Sequence, residues 1–243
     1  MVNEVVATGS NLRKASGENL DIRDRVLIGL AIKAYNSFEC LTQDASNWRS
    51  EAFHHLKTLA ETHIYFQWVG IRTDHSRAKL LLGKATKEKI NFLEANSQLL
   101  DSDCSGRKPL ELTLTALAAG NEQEWKRFQQ KGLRKIAMET NSDMVGWYDR
   151  VFRPACEPAH ISDLVEYMPR ADEKEIRLMP VAAFSASKMR AMIAIDYGLQ
   201  IMCDFMRNMS DVFSLGLAEP IKELKLALDN SRNRRSATTA GGM

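Results

Sequence analysis

The spacing of apolar residues is the feature that most constrains the fold of this chain. Apolar side chains recur every three or four positions through nearly all of the 243 residues, and no segment alternates apolar and polar residues over a strand's length. The observed spacing is typical of helices that bury one face, whereas a half-buried strand requires strict alternation. A chain of this length can also bury a sizeable core. We therefore predict an all-α fold, a multi-helix bundle that forms a single domain.

Capping residues and prolines divide the helical pattern into segments. Asp21 is suited to cap a long first helix, Pro109 suits the first turn of a short one, and Pro154 restarts the chain as another. The predicted helices are Asp21–Leu41, Trp48–Val69, one capped by Asp74, Pro109–Gly120, one capped by Asn121, one beginning at Ser142, one beginning at Pro154, Ala183–Met209 and Glu219–Asp229.

Both ends of the chain differ in composition from this helical part. Residues 1–19 are mostly polar, and residues 231–243 are rich in arginine and small side chains. Segments of this kind cannot bury enough apolar surface to offset the entropy lost on ordering. The sequence therefore predicts a flexible arm at 1–19, a helical domain at 20–230 and a disordered basic tail at 231–243.

Charge and composition exclude several classes of protein. The formal net charge is only +2, so the overall balance indicates neither a nucleic-acid nor a membrane partner. No apolar run approaches the roughly 20 residues that span a bilayer, and no signal region is recognisable. We expect a cytoplasmic protein without a membrane partner. Glycine-rich nucleotide loops and the common hydrolase and zinc-protease motifs are missing from the sequence, which gives no reason to expect a cofactor.

Arg153 and His160 are the first candidates for chemistry. Metal-independent RNA cleavage needs a group that moves protons near neutral pH and a cation that stabilises the charge developing on phosphorus. Residues seven apart share one face of a helix, although Pro154 and Pro158 blur that register. The alternative is structural, with Arg153 paired to a carboxylate and His160 hydrogen-bonded in the protein.

Two Glu-x-x-His pairs suggest a different chemistry. Glu51–His54 and Glu157–His160 each place an acid and an imidazole on one helical face, as in four-helix di-iron proteins. Charged helix faces also produce this spacing by chance, and Pro158 lies inside the second pair. We therefore assign no metal ligand and keep the di-metal site as the weaker hypothesis.

Glu61 is a carboxylate within an otherwise apolar helix segment. A buried acid of this kind can have a shifted pKa and can mark a functional site. It can equally belong to a structural ion pair with Lys57 or Arg153, because buried acids are usually paired. Both interpretations remain open at the level of the sequence.

Two segments together resemble a known family. LKTLAETHIYFQWV (Leu56–Val69) is similar to the Arg/Lys-x-x-x-Glu helix of a large family of uncharacterised bacterial helical proteins. FRPACEPAH (Phe152–His160) is similar to its later Tyr-Arg-x-x-Ser-x-x-x-His motif, with Phe152 and Cys156 replacing the tyrosine and serine. The helical build and this motif resemble the HEPN domains of toxins and defence systems.

The resemblance implies a HEPN-like metal-independent ribonuclease of a toxin or defence system. His160 would act as general acid/base, Arg153 would bind phosphate, Glu61 would orient one of them, and Lys57 and Arg150 would bind the substrate. It further implies RNA as a partner and a homodimer that completes the site. The alternatives are a non-catalytic binding or regulatory module that uses the same polar pocket, and the di-metal carboxylate protein, so catalysis itself stays an open question.

Overall fold

The computed structural model of the protein describes residues 20–49, 51–96, 107–119, 122–156 and 181–240, with the side chains of 181–187 and 231–240 left aside. Within these ranges every regular element is helical, which confirms the all-α prediction. The elements are α1 (Ile22–Ser46), α2 (Ala52–Gly70), α3 (Ser76–Ala95), α4 (Arg107–Ala118), α5 (Glu122–Gln129), α6 (Leu133–Met138), α7 (Ser142–Trp147), a π-helix (Tyr148–Phe152), α8 (Arg153–Cys156), α9 (Val181–Phe213) and α10 (Ala218–Ala240).

Helix α1 begins where the sequence predicts and buries one line of side chains. The Asp21 carboxylate accepts a hydrogen bond from the Asp24 N–H and so caps the first turn. The most buried line runs through Leu27, Ala34 and Leu41, whereas the neighbouring Val26 is only partly buried. These three residues are seven apart, so they follow one line along the helix.

Helix α2 is the central element of the bundle. It packs against α1, α6, the π-helix, α8 and α9, and its buried residues lie on all sides of the helix. At its end, Arg23 of α1 donates hydrogen bonds to the carbonyl oxygens of Gly70 and Arg72, at 3.0 and 2.8 Å. These bonds satisfy acceptors that the end of a helix leaves without intrahelical partners.

The chain from α7 to α8 contains one turn of π-helix. The side-chain carbonyl oxygen of Asn141 caps α7 by accepting from the Met144 N–H, and the Arg153 N–H then donates to the Tyr148 carbonyl five residues earlier. Pro154 gives the reason, because it has no N–H to donate and its ring would clash with the Arg150 carbonyl in a regular α-helix. The wider turn relieves that clash.

Helices α3 and α4 form a hairpin beside the centre, and α5 packs across α3 at Gly83. A Cβ atom at Gly83 would lie 2.7 and 2.9 Å from two ring carbons of Trp125 on α5. The absence of a side chain at Gly83 therefore allows the indole to approach the backbone of α3.

The last two helices complete the bundle. Helix α9 packs on α1 and α2, and α10 packs on α9. Helix α10 continues to Ala240, beyond the predicted end at Asp229, so it overlaps the segment 231–243 that the sequence assigns to a tail. The predicted arm at 1–19 lies outside the described residues.

Candidate functional site

Lys57, Glu61, Phe152 and Cys156 form a charged cluster where α2 meets the π-helix and α8. We call it the Lys57 cluster. The Lys57 Nζ atom lies 6.0 Å from the centroid of the Phe152 ring, at the outer limit of a cation–π contact. Lys57 and Glu61 are four residues apart on α2, so they share one face of that helix. Residues of the segments 56–69 and 152–156 therefore meet in space.

Electrostatics at Cys156 support this proximity. Burial raises the pKa of the Cys156 thiol; the charge of Lys57 works to lower it, and the charge of Glu61 works to raise it. A side chain influenced by both charges must lie near both of them, since exposed charges are screened within about 10 Å. The cluster thus brings together two of the predicted site residues, Lys57 and Glu61.

The two arginines of the predicted site occupy different surroundings. Arg153 is the first residue of α8 and is exposed, directly after Phe152 of the Lys57 cluster. Arg150 lies on the π-helix, and its Nε donates to the Gly146 carbonyl at 3.3 Å. Arg150 lines a cavity to which neither Lys57 nor Glu61 contributes.

The remaining sequence candidates are only partly described. His160 and Glu157 lie outside the described residues, and with them the whole of the second Glu-x-x-His pair. Glu51 and His54 of the first pair are both exposed. Within the described ranges, no three histidine, cysteine, aspartate or glutamate side chains are grouped so that they could hold a metal ion.

A large apolar cavity of about 740 Å³ lies between α1, α2, α3 and α4. Glu61 lines it together with Tyr65 and Lys84, whose Nζ donates to the Tyr65 hydroxyl at 2.9 Å. Burial raises the pKa of Tyr65 and outweighs the opposite effect of Lys84, so the phenol is protonated at neutral pH. The apolar walls of this cavity include Val26, Leu30, Leu81, Leu82 and Leu117.

A second, polar cavity of about 330 Å³ lies between α2, α7 and α9, and the sequence did not single it out. We call it the His63 cavity, after a histidine that is 0% exposed. Neither ring nitrogen of His63 has a hydrogen-bond partner among the described residues. Burial lowers the pKa of His63 to about 4, so the imidazole is neutral at pH 7.

The walls of the His63 cavity are charged and polar. Two arginines, two aspartates and three amide side chains line it beside Met144 and Trp147. The set is Gln67, Asn141, Asp143, Arg150, Asp204, Arg207 and Asn208. The signal that could have found this cavity is the histidine of AETHIYF, since a polar residue inside an all-round buried helix needs a partner.

These observations define an all-helical protein whose central helix borders one charged cluster and two cavities. No family model matches the chain, and no curated protein or solved structure matches it significantly. Among the described helices, none is both long and apolar enough to cross a membrane.

Proposed function

We propose that the protein is a HEPN-like, metal-independent ribonuclease of a toxin or defence system, with its site at the Lys57 cluster. The observation that carries the proposal is the meeting of Lys57, Glu61 and Cys156 between α2 and α8. The resemblance to HEPN domains rests on the same two segments. An exposed Arg153 beside them suits a polynucleotide, which is too large for a closed cavity.

Each residue of the site has its own role in the proposed RNA cleavage. His160, four residues after Cys156 in the sequence, accepts the proton of the ribose 2′-hydroxyl or returns one to the leaving oxygen. Arg153 binds the phosphate and stabilises the charge that develops on it. Glu61 orients the histidine or the arginine, and Lys57 and Arg150 bind the substrate backbone. The proposal includes a homodimer in the cytoplasm, with both protomers contributing to the site.

The test is RNA cleavage by purified protein in excess EDTA. We expect the wild type to cleave, while His160→Ala and Arg153→Gln lose at least a hundredfold in rate, in line with the usual contribution of a general acid/base. His54→Ala is the matched control, because His54 is an exposed histidine on the same helix as Lys57. Equal cleavage by His160→Ala and wild type would overturn the proposal, and so would intact RNA in every lane. Sedimentation of the same samples tests the dimer.

The apolar cavity favours a second candidate, a non-catalytic binding module. At about 740 Å³ it falls within the range of small-molecule pockets, and cationic side chains lie at its edge, namely Arg25, Lys33 and Lys84. This combination suits a ligand with an apolar body and an anionic group.

A fluorescent anionic amphiphile, anilinonaphthalene sulfonate, tests the binding candidate. We expect saturable fluorescence with the wild type and loss of it in Gly29→Phe, because Gly29 lines the cavity and a Cβ atom added there would have no neighbour within 4 Å. Gly132→Phe is the control, since Gly132 is equally open and lies outside the cavity. Equal fluorescence from both variants would exclude specific binding there.

A further inference from the structure

The His63 cavity contains a buried polar group that the fold itself leaves without a partner. Both ring nitrogens of His63 are shielded from solvent and make no hydrogen bond to any described residue. A neutral imidazole carries one N–H donor and one acceptor nitrogen. Groups buried in this way are rare in folded proteins, and each one calls for an explanation such as a bound molecule.

The cations around the cavity are not fully engaged by the acids beside them. Asp204 is held by Lys225 at 2.7 Å and by Arg207 at 3.3 Å, so two cations share one carboxylate. Among the described residues Arg150 makes no ion pair. Asp143 is the other lining acid and is exposed at the mouth.

The burial of the lining residues places these groups in order. Fully buried His63 forms the inner wall, and the exposed Arg150 and Arg207 form the outer one. The glycine at 146 gives the guanidinium of Arg150 room, since a Cβ there would lie 2.9 Å from Arg150 Nη2. Arg150 is thereby held against α7 at the edge of the cavity, with donors available.

We propose that the His63 cavity is a binding site for a small oxyanion, a molecule of metabolite size that carries a phosphate or a carboxylate. Arg150 and Arg207 donate charge-assisted hydrogen bonds to the oxyanion. The imidazole N–H of His63 donates to an oxygen that reaches the inner wall, and the amides of Gln67 and Asn208 bind the neutral polar part of the molecule. The site shares Arg150 with the proposed ribonuclease site, whereas His63 and Arg207 do not belong to the Lys57 cluster.

The first test measures binding of two anions, inorganic phosphate and succinate, at constant ionic strength maintained with chloride. Thermal unfolding reports stabilisation by binding, because a ligand that binds only the folded state raises the Tm. The ¹⁵N resonances of the His63 ring report whether the anion reaches it. We expect a saturable rise in Tm and a shift of the ring resonances for at least one anion. A response to phosphate alone identifies a phosphorylated ligand, and a response to succinate alone identifies a carboxylate.

Three variants separate a built site from general ion binding. Arg150→Gln and His63→Leu should weaken binding of the active anion by at least tenfold. Arg134→Gln should bind as the wild type does, because Arg134 is an exposed arginine that pairs with Asp149 and does not line the cavity. Arg150 is exposed, so Arg150→Gln should fold as the wild type does.

Two results would overturn the proposal. One is a wild-type protein whose Tm and His63 resonances respond to neither anion. The other is Arg150→Gln binding with wild-type affinity, which would show that the anion binds elsewhere. A protein that cleaves no RNA should still give both readouts, because His63 and Arg207 take no part in the proposed ribonuclease site. Failure of the ribonuclease proposal is therefore distinguishable from failure of this one.

Discussion

The imidazole of His63 meets the indole of Trp147 edge to face, with ring centroids 6.0 Å apart and ring planes at 90°. Phe205 of α9 lies at the same centroid distance on another side of the imidazole. Aromatic contacts contribute about 0.5–1.5 kcal/mol each beyond burial. Packing from two helices thus fixes the orientation of a histidine that has no hydrogen-bond partner in the described part of the chain.

His63 should make the stability of the fold depend on pH between 6.5 and 4. Burial lowers its pKa in the folded state from 6.5 to about 4, so in this range the unfolded chain binds a proton that the folded protein does not. Stability is therefore complete above pH 6.5 and falls as the pH decreases. The difference of about 2.5 pKa units corresponds to a loss of about 3 kcal/mol.

Chemical denaturation of wild type and His63→Leu at several pH values measures this effect. The variant removes the titrating group, so its stability should fall less steeply from pH 6.5 to 4. We also expect it to be more stable than the wild type at pH 5, since an apolar side chain of similar size needs no hydrogen bond. Identical slopes for the two proteins would show that other groups cause the acid sensitivity.

Two substitutions in the Lys57 cluster should change the pKa of the Cys156 thiol in opposite directions. Lys57→Ala should raise the pKa of Cys156 and slow its alkylation at pH 8, because a stabilising positive charge is removed. Glu61→Gln should lower that pKa and speed alkylation. We expect the alkylation rate of Cys156 to change by a few-fold in each variant. Mass spectrometry of the Cys156 peptide measures that rate.

The exposed Cys40 is the internal control for these rates. Its alkylation should be the same in all three proteins, since it lies on α1. If both substitutions changed the rate at Cys156 in the same direction, altered access would be the cause and the electrostatic interpretation would be wrong.

Gly146→Ala should separate stability from binding at the His63 cavity. Alanine in place of a helical glycine usually adds about 0.5–1 kcal/mol of stability. The new Cβ would nevertheless displace the Arg150 guanidinium, whose Nη2 lies 2.9 Å from that position. We expect a higher Tm and weaker phosphate or succinate binding in one variant, measured by thermal unfolding and calorimetric titration. Unchanged affinity would mean that the position of Arg150 does not matter.

Gly83→Ala and Gly29→Ala should change stability in opposite directions. At Gly83 the added Cβ meets the rigid Trp125 ring. Overpacking of this kind lowers stability by about 1–3 kcal/mol, which outweighs the gain in helix propensity. We expect a net loss of about 1 kcal/mol. At Gly29 nothing lies within 4 Å, so the gain of about 0.5–1 kcal/mol should remain. Urea unfolding of the two variants checks the signs, and a stabilised Gly83→Ala would show that Trp125 moves freely.

Local signals in the sequence predicted much of the helical framework. The Asp21 cap and the start of α7 at Ser142 follow from side chains that bond to nearby backbone groups, so neither depends on the rest of the fold. The prediction was less complete for α2, because a helix buried on all sides lacks the one-sided pattern that periodicity detects. Gln67, for example, lies on this helix and lines the polar His63 cavity.

The candidate site was harder to predict from the sequence than the helices, because it depends more strongly on tertiary structure. In the sequence, only a proposed resemblance of two segments to one family linked Lys57 and Glu61 with Cys156, and their proximity needs the packing of α2 on α8. The grouping of His63 with Arg207 joins α2 to α9, more than 140 positions later in the chain. No local pattern encodes a contact between segments so far apart.

The single π-turn before Pro154 has a consequence for how this chain tolerates insertions and deletions. A π-turn holds one residue more than the corresponding α-helical turn, and each residue of an α-helix turns the chain by about 100°. Deleting one residue between Tyr148 and Phe152 would rotate everything after it relative to α7. Arg150 lines the His63 cavity and Cys156 belongs to the Lys57 cluster, so the length of the turn sets the angle between these two side chains. Homologous chains that keep both sites should therefore preserve the number of residues here even where they exchange the residues themselves.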